Sequence, residues 1–153
     1  MKTDNKNYQK FALMLGASFV IMYAVMFLNV DSLDHIYIST TRLYMTLLMV
    51  SPMALLMLAF MSGMYKNRRL NALIITLSIS VFIATFAFLR NQTFINDVQY
   101  MEAMIPHHSS AILTSQNAHI QDPEVRKLAD DIIKAQEKEI AQMKGMLQRL
   151  NEQ

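Results

Sequence analysis

Cysteine is absent from this 153-residue chain, which removes disulfide frameworks and thiolate metal sites alike. Tryptophan is absent too, and glycine and proline number three each. So few chain-breakers leave no succession of short strands divided by turns, and they predict an all-α fold. A strong charge of one sign is also missing. The formal net charge is +2, too small to point to nucleic acid as a partner. No Ser/His/Asp set, Gly-rich phosphate loop or nucleophile elbow is evident along the chain. Hydrolase and nucleotide chemistry therefore find no support, and no enzyme is expected.

What the chain has in abundance is apolar surface, at 53% of residues, and methionine, at 14. Three apolar runs, residues 11–30, 43–65 and 70–89, are each about the ~20 residues that cross a bilayer as a helix. The basic front end would also suit a signal peptide. Its apolar run is long for that role, and no small-x-small cleavage site precedes Asp31, so a retained helix is expected. Lys2, Lys6 and Lys10 precede the first run, and Lys66, Arg68 and Arg69 form the turn between the second and third. Basic residues are retained on the cytoplasmic side. Three spans then put the N-terminus inside and residues 90–153 outside, with membrane lipid as a partner.

Met45, Met49, Met53, Met57 and Met61 stand four residues apart in the second run, forming one oblique ridge on a helix. The ridge is either a thioether track for a soft ion or a packing surface between helices. No Asp, Glu, Lys or His interrupts the spans, which argues against a proton-coupled transporter.

From residue 90 the pattern changes. Phe94, Val98, Met101, Ile105, His108, Ile112, Ser115 and His119 recur at alternating spacings of four and three. Beyond the turn at Asp122-Pro123, Val125, Ala129, Ile132, Gln136, Glu139, Met143, Met146 and Leu150 do the same. This predicts two packed helices joined as an antiparallel hairpin. Asp122 is the expected N-cap and Pro123 the first helical residue. Folded about that turn, His108 falls level with Gln136, Ile105 with Glu139, Met101 with Met143, Val98 with Met146 and Phe94 with Leu150. The seam is then apolar at its ends and polar and sulfur-rich in its middle, with Met104 and His107 flanking.

Burying an imidazole, an amide and a carboxylate unpaired is costly, so these groups either satisfy one another or serve an ion. The first case is a His–Glu or His–Gln hydrogen bond that fixes helix register, making the hairpin an assembly module. The second favours copper, since thioethers select Cu(I), imidazole suits both copper states and zinc rarely uses methionine. A di-iron oxidase would want more carboxylates and a Glu-x-x-His pair, and neither is present. His35 and His119 read as ordinary surface histidines that could serve as accessory ligands.

The blocks Met101-x2-Met104-Ile-Pro-His107-His108 and Gln136-x2-Glu139-Ile-x2-Met143 resemble domain-of-unknown-function family 305. The likeness covers about residues 90–150. It implies a ferritin-like helical fold, so that two helices here are half of a four-helix bundle completed by a homo-oligomer, most simply a dimer. It further implies copper binding for tolerance, storage or delivery: Cu(I) first, with Ag(I) or Cu(II) as alternatives. The ligands it implies are Met101, Met104, His107, His108 and Met143, supported by Gln136 and Glu139. A copper-efflux or copper-chaperone partner and a place in a bacterial inner membrane, with the hairpin periplasmic, belong to the same expectation. Two departures alter the ligand set. Leu113-Thr114 replaces a step where the family often has methionine, and Met146-Leu147 stands where it often has Trp-Leu, which adds Met146 as a candidate.

Overall fold

With so little glycine and proline to interrupt them, the apolar runs and the amphipathic tail all form long helices. The computed structural model describes residues 2–152. Met1 and Gln153, the first and last residues of the two expected domains, lie outside the described residues, as do the side chains of residues 2–5, Lys2 among them. The α-helices are α1 (Lys2–Val25), α2 (Thr40–Phe60), α3 (Arg68–Asn91), α4 (Asp97–Asn117) and α5 (Pro123–Asn151), with one 3-10 turn at Leu33–His35. No strand occurs among the described residues. The chain divides into two units, one built from α1, α2 and α3 and the other from residues 26–40 with α4 and α5.

In the first unit, Lys6–Val25, Thr40–Phe60 and Arg68–Asn91 are each long and apolar enough to cross a membrane. The second and third begin earlier than the apolar runs suggested, at Thr40 rather than 43 and at Arg68 rather than 70. The first helix ends at Val25 rather than 30. Residues 26–30 leave it because they are held elsewhere: Asn29 Nδ2 donates to Ser110 Oγ at 2.9 Å. Phe11, Ala54, Met57, Leu58 and Tyr65 form the core of this unit, with Met53, Met61 and Ile74 packed against it. The methionine ridge is thus divided. Its second half packs, whereas Met45 and Met49 are exposed. The α2–α3 turn is fixed by Asn67, whose side chain accepts from the N–H groups of Arg69 and Leu70 as an N-cap. Tyr8 Oη donates to Asn71 Oδ1 at 2.7 Å and ties α1 to the same turn.

After α3 the backbone turns through left-handed conformations at Gln92 (φ 50°) and Phe94 (φ 62°). Phe94 was expected in the hairpin seam opposite Leu150. It is instead 77% exposed, packs edge-on against Phe88, and belongs to the first unit. The turn directs the chain away before Asn96 caps α4 by accepting from Gln99 N–H.

In the second unit α4 and α5 form the expected antiparallel hairpin. Asp122 Oδ1 accepts from the N–H groups of Glu124 and Val125 at 2.9 and 3.0 Å, and Pro123 opens α5. Pro106 stays within a continuous α4. The core holds Met101, Ile105, Ile112, Ile140 and Leu147, with Val98, Ile133, Met143 and Leu150 alongside. On α4 the buried side is the predicted one at these positions. On α5 it is rotated, running through Ala129, Ile133, Ile140, Met143, Leu147 and Leu150 instead of Ile132, Glu139 and Met146. Both readings fit the four-three spacing and share Ala129, Gln136, Met143 and Leu150. Burying Ile140 and Leu147 gains apolar area, while burying Glu139 would desolvate a charge. His108 Nδ1 comes within 3.1 Å of Glu139 Oε2.

Residues 26–40, read from sequence as the end of a span and a short polar loop, pack on this hairpin. Asp31 N–H donates to Ser109 Oγ at 2.7 Å. Lys144 pairs with Asp34, and Thr40 N–H donates to Gln99 Oε1 at 2.7 Å. Tyr37 packs against the hairpin core. A division at residue 90 therefore leaves out a segment that the hairpin holds.

Candidate metal centre

The rotation of α5 decides which candidate ligands meet. Met101 on α4 is buried, Met143 on α5 is half-buried, and Met146 is 47% exposed. These three thioethers, with Asp97, Tyr100, Arg149 and Leu150, line one groove of about 300 Å³. The seam that the sequence suggested would have buried Met146. The structure instead opens it to the groove, beside two further soft donors.

The imidazoles form a separate level. His108 lies ~10 Å along the axis from Met101, at ~1.5 Å per residue over seven residues. Its ring is largely enclosed, with 12% of the side chain exposed. Nδ1 approaches Glu139 Oε2 to 3.1 Å, yet the alignment is not that of a hydrogen bond, and Nδ1 is a buried nitrogen without a hydrogen-bond partner. Burial pushes the His108 pKa down, the charge of Glu139 opposes that, and His107 adds to it. A depressed pKa keeps the imidazole neutral and available as a donor. His107 is exposed, its ring centroid 6.0 Å from that of His108. Met104, half-buried, precedes the two histidines by three and four residues, so all three neighbour one another on α4.

The other predicted residues fall outside these levels. Gln136 is half-buried on α5, and Glu139 is half-exposed and approaches His108. His119 is exposed in the α4–α5 turn. His35 is not a surface histidine. Only 13% of its side chain is exposed, and its Nδ1 lies 2.9 Å from Ser109 Oγ. Among the described residues, no three His, Asp or Glu side chains gather as a metal site.

One arrangement went unseen in the sequence. Ser109, His35 and Asp34 do form a Ser/His/Asp set, with Asp34 Oδ1 3.8 Å from His35 Nε2. Ser109 is wholly buried and its Oγ accepts from Asp31 N–H, so no substrate reaches the hydroxyl. The set fastens the segment to α4. Ser109 is 74 residues from His35 in the chain, and no local spacing could have announced the set. A cavity of about 280 Å³ lies beside it, lined by Asp31, His35, Ile112, Glu137, Ile140, Ala141 and Lys144. Nearby, Gln99 Nε2 donates to Glu102 Oε2 at 2.7 Å, and burial pushes the Glu102 carboxyl up.

Residues 97–153 match the family model described as "Domain of unknown function (DUF305)", which is the hairpin. The whole chain is similar to "Uncharacterized protein L153" of Acanthamoeba polyphaga mimivirus, at 39% identity over 147 residues, covering 92% of this chain and 93% of that protein. No solved structure matches the chain.

Proposed function

We propose that this chain, which carries a DUF305 domain and belongs to one family with the mimivirus protein, is a membrane-anchored copper-binding protein that takes Cu(I) as cargo for tolerance, storage or delivery. The observation that carries the reading is the groove shared by Met101, Met143 and Met146. Neutral sulfur donors suit a soft monovalent ion and discriminate against zinc and hard cations. Cu(I) is the first choice, with Ag(I) its chemical equivalent and Cu(II) the alternative at the imidazoles.

The enclosed, unpartnered Nδ1 of His108 supports a second level, in which His108 with Met104 and His107 takes an ion from the thioether groove or passes one to it. Gln136 and Glu139 would position these ligands rather than bind. His35 is engaged by Ser109 and His119 stands apart in the turn, so neither is a ligand on this reading. The basic residues at the N-terminus and in the α2–α3 turn favour a cytoplasmic side for those ends. The hairpin then lies outside, which in a bacterial inner membrane is the periplasm, where an efflux system or chaperone can exchange copper with it. A two-helix hairpin is half of a four-helix bundle, and a second copy would complete it.

The approach of His108 to Glu139 at 3.1 Å favours one other reading, an assembly module in which that pair sets register. Cu(I) competition titration of the full chain in detergent separates the two. Met101→Leu/Met143→Leu keeps the packing volume, at a cost below about 1.5 kcal/mol per site, and removes the thioethers. Under the copper reading it weakens Cu(I) at least about tenfold, or about 1.4 kcal/mol, and His107→Ala/His108→Ala lowers the amount bound. Unchanged Cu(I) binding in both variants, with oligomeric state altered only in the histidine variant, would leave the assembly module.

A further inference from the structure

In residues 35–39 the usual placement of polar and apolar groups is reversed. Beyond the turn at Leu33–His35 the backbone is extended, with Ile36 at φ −83° and ψ 109°, so successive side chains point to opposite sides. One side faces the hairpin. There His35 meets Ser109, Tyr37 packs on the core and Ser39 is 2% exposed. The other side carries Ile36 and Ile38, which are 42% and 75% exposed, and Leu28 and Leu33 are 77% and 82% exposed. The charge of Asp34 is drawn to the hairpin by Lys144. A segment bathed in water would turn its isoleucines inward and its imidazole and hydroxyls outward, because that arrangement buries apolar area and solvates polar groups.

We propose that the outer side of residues 26–40 is immersed in the interfacial layer of the bilayer, its partner being the boundary between headgroups and acyl chains. Both ends of the segment run directly into helices of membrane-spanning length and apolarity. Its exposed aliphatic side chains thus follow and precede those helices directly along the chain. The inference rests on reading those helices as spans. Its consequence is that the hairpin, fastened to the segment through Ser109, Ser110, Gln99 and Lys144, is held at the membrane surface rather than swinging on a tether.

The lack of cysteine allows a direct test by nitroxide labelling of the full chain in vesicles of phosphatidylcholine and phosphatidylglycerol. Labels enter through Leu33→Cys and Ile38→Cys, all at exposed positions, with Leu77→Cys on α3 and Glu124→Cys at the hairpin turn as references. Power saturation compares collisions with oxygen, which concentrates in lipid, and with a water-soluble nickel chelate. Positions 33 and 38 are expected to favour oxygen severalfold, like position 77, while position 124 favours nickel. Aqueous behaviour at 33 and 38 with lipid behaviour at 77 overturns the proposal and leaves the spans intact. Aqueous behaviour at 77 as well overturns the membrane reading with it. Dipolar broadening between copies at 33 or 38, without oxygen preference, overturns the proposal in favour of a second chain on that face.

Discussion

Both units have apolar cores, but they differ in the hydroxyls they enclose and the large side chains they expose. In the hairpin the enclosed positions are Ile105, Ile112, Ile140 and Leu147, and the surface of α5 is charged. In the first unit Thr46, Ser51, Ala54, Ser78 and Thr85 are enclosed, while Leu73, Leu77, Ile83 and Phe86 face outward. The first pattern is what water imposes, since apolar area removed from it stabilises the fold. The second is what lipid permits. With no hydrophobic gain from burying leucine, helices approach through small residues and turn their large side chains out. The buried hydroxyls cost little, because Thr46 and Ser51 donate to the carbonyls of Arg42 and Leu47 one turn back. The outward leucines, isoleucines and phenylalanines of the first unit accord with helices long and apolar enough to cross a membrane.

The largest effect that would break this contrast is at Ile105, which is fully buried in the hairpin. Ile105→Ala leaves a cavity and is expected to cost about 2–5 kcal/mol. Leu77→Ala on the outer side of α3 should stay within about 0.5 kcal/mol. Chemical unfolding of the full chain in detergent, followed by helical circular dichroism, measures both. Equal costs would mean that α3 has a core of the aqueous kind.

A smaller effect sharpens the comparison from the other side. Ala54, 1% exposed among Phe11, Met57, Leu58 and Tyr65, leaves no room for a larger side chain. Ala54→Leu is expected to destabilise by about 1–3 kcal/mol through overpacking, although it adds apolar surface. Thermal unfolding in detergent micelles reads this, and a stabilised variant would show that the helices are loosely packed there.

The smallest expected effect concerns residues 26–40, the part of the second unit that lies between α1 and α2 in sequence. Burial lowers the His35 pKa, and the charge of Lys144 lowers it further, against the opposing attraction of Asp34 and Asp31. Asp31, Glu137 and Lys144 line the cavity it faces. Asp34 itself is lowered to about 2, chiefly by its hydrogen bond with Lys144, so its carboxylate stays charged throughout. The unfolded chain takes up the proton more readily than the folded ring. The stability that neutral His35 contributes is therefore complete above about pH 6.5 and is lost as pH falls from there through the lower folded value. Amide exchange in residues 26–40 should quicken on acidification through that window, and His35→Gln should remove the response. An acid response that persists in the variant would assign it to Glu102 or another group.

Much of this architecture was legible because it follows from local rules. Span length, four-three periodicity, the Asp122-Pro123 cap and the basic turn each need only neighbouring residues. The α5 seam was not fixed in the same way. Two registers share Ala129, Gln136, Met143 and Leu150, and only packing against α4 chooses burial of Ile140 over Glu139. Met146 consequently reaches the groove as a flanking, open side chain, a placement its own spacing did not indicate.

By itself the sequence determined that the chain is helical, that three of its helices suit a membrane, and that methionine and histidine collect on the last two. Composition and periodicity act over a few residues, so a linear reading suffices for them. Tertiary structure alone decided that His108 meets Glu139, that three thioethers share one groove, and that residues 26–40 close on the hairpin through Ser109. Those contacts join positions tens of residues apart, and they form where burial, shape and hydrogen bonding can be satisfied together.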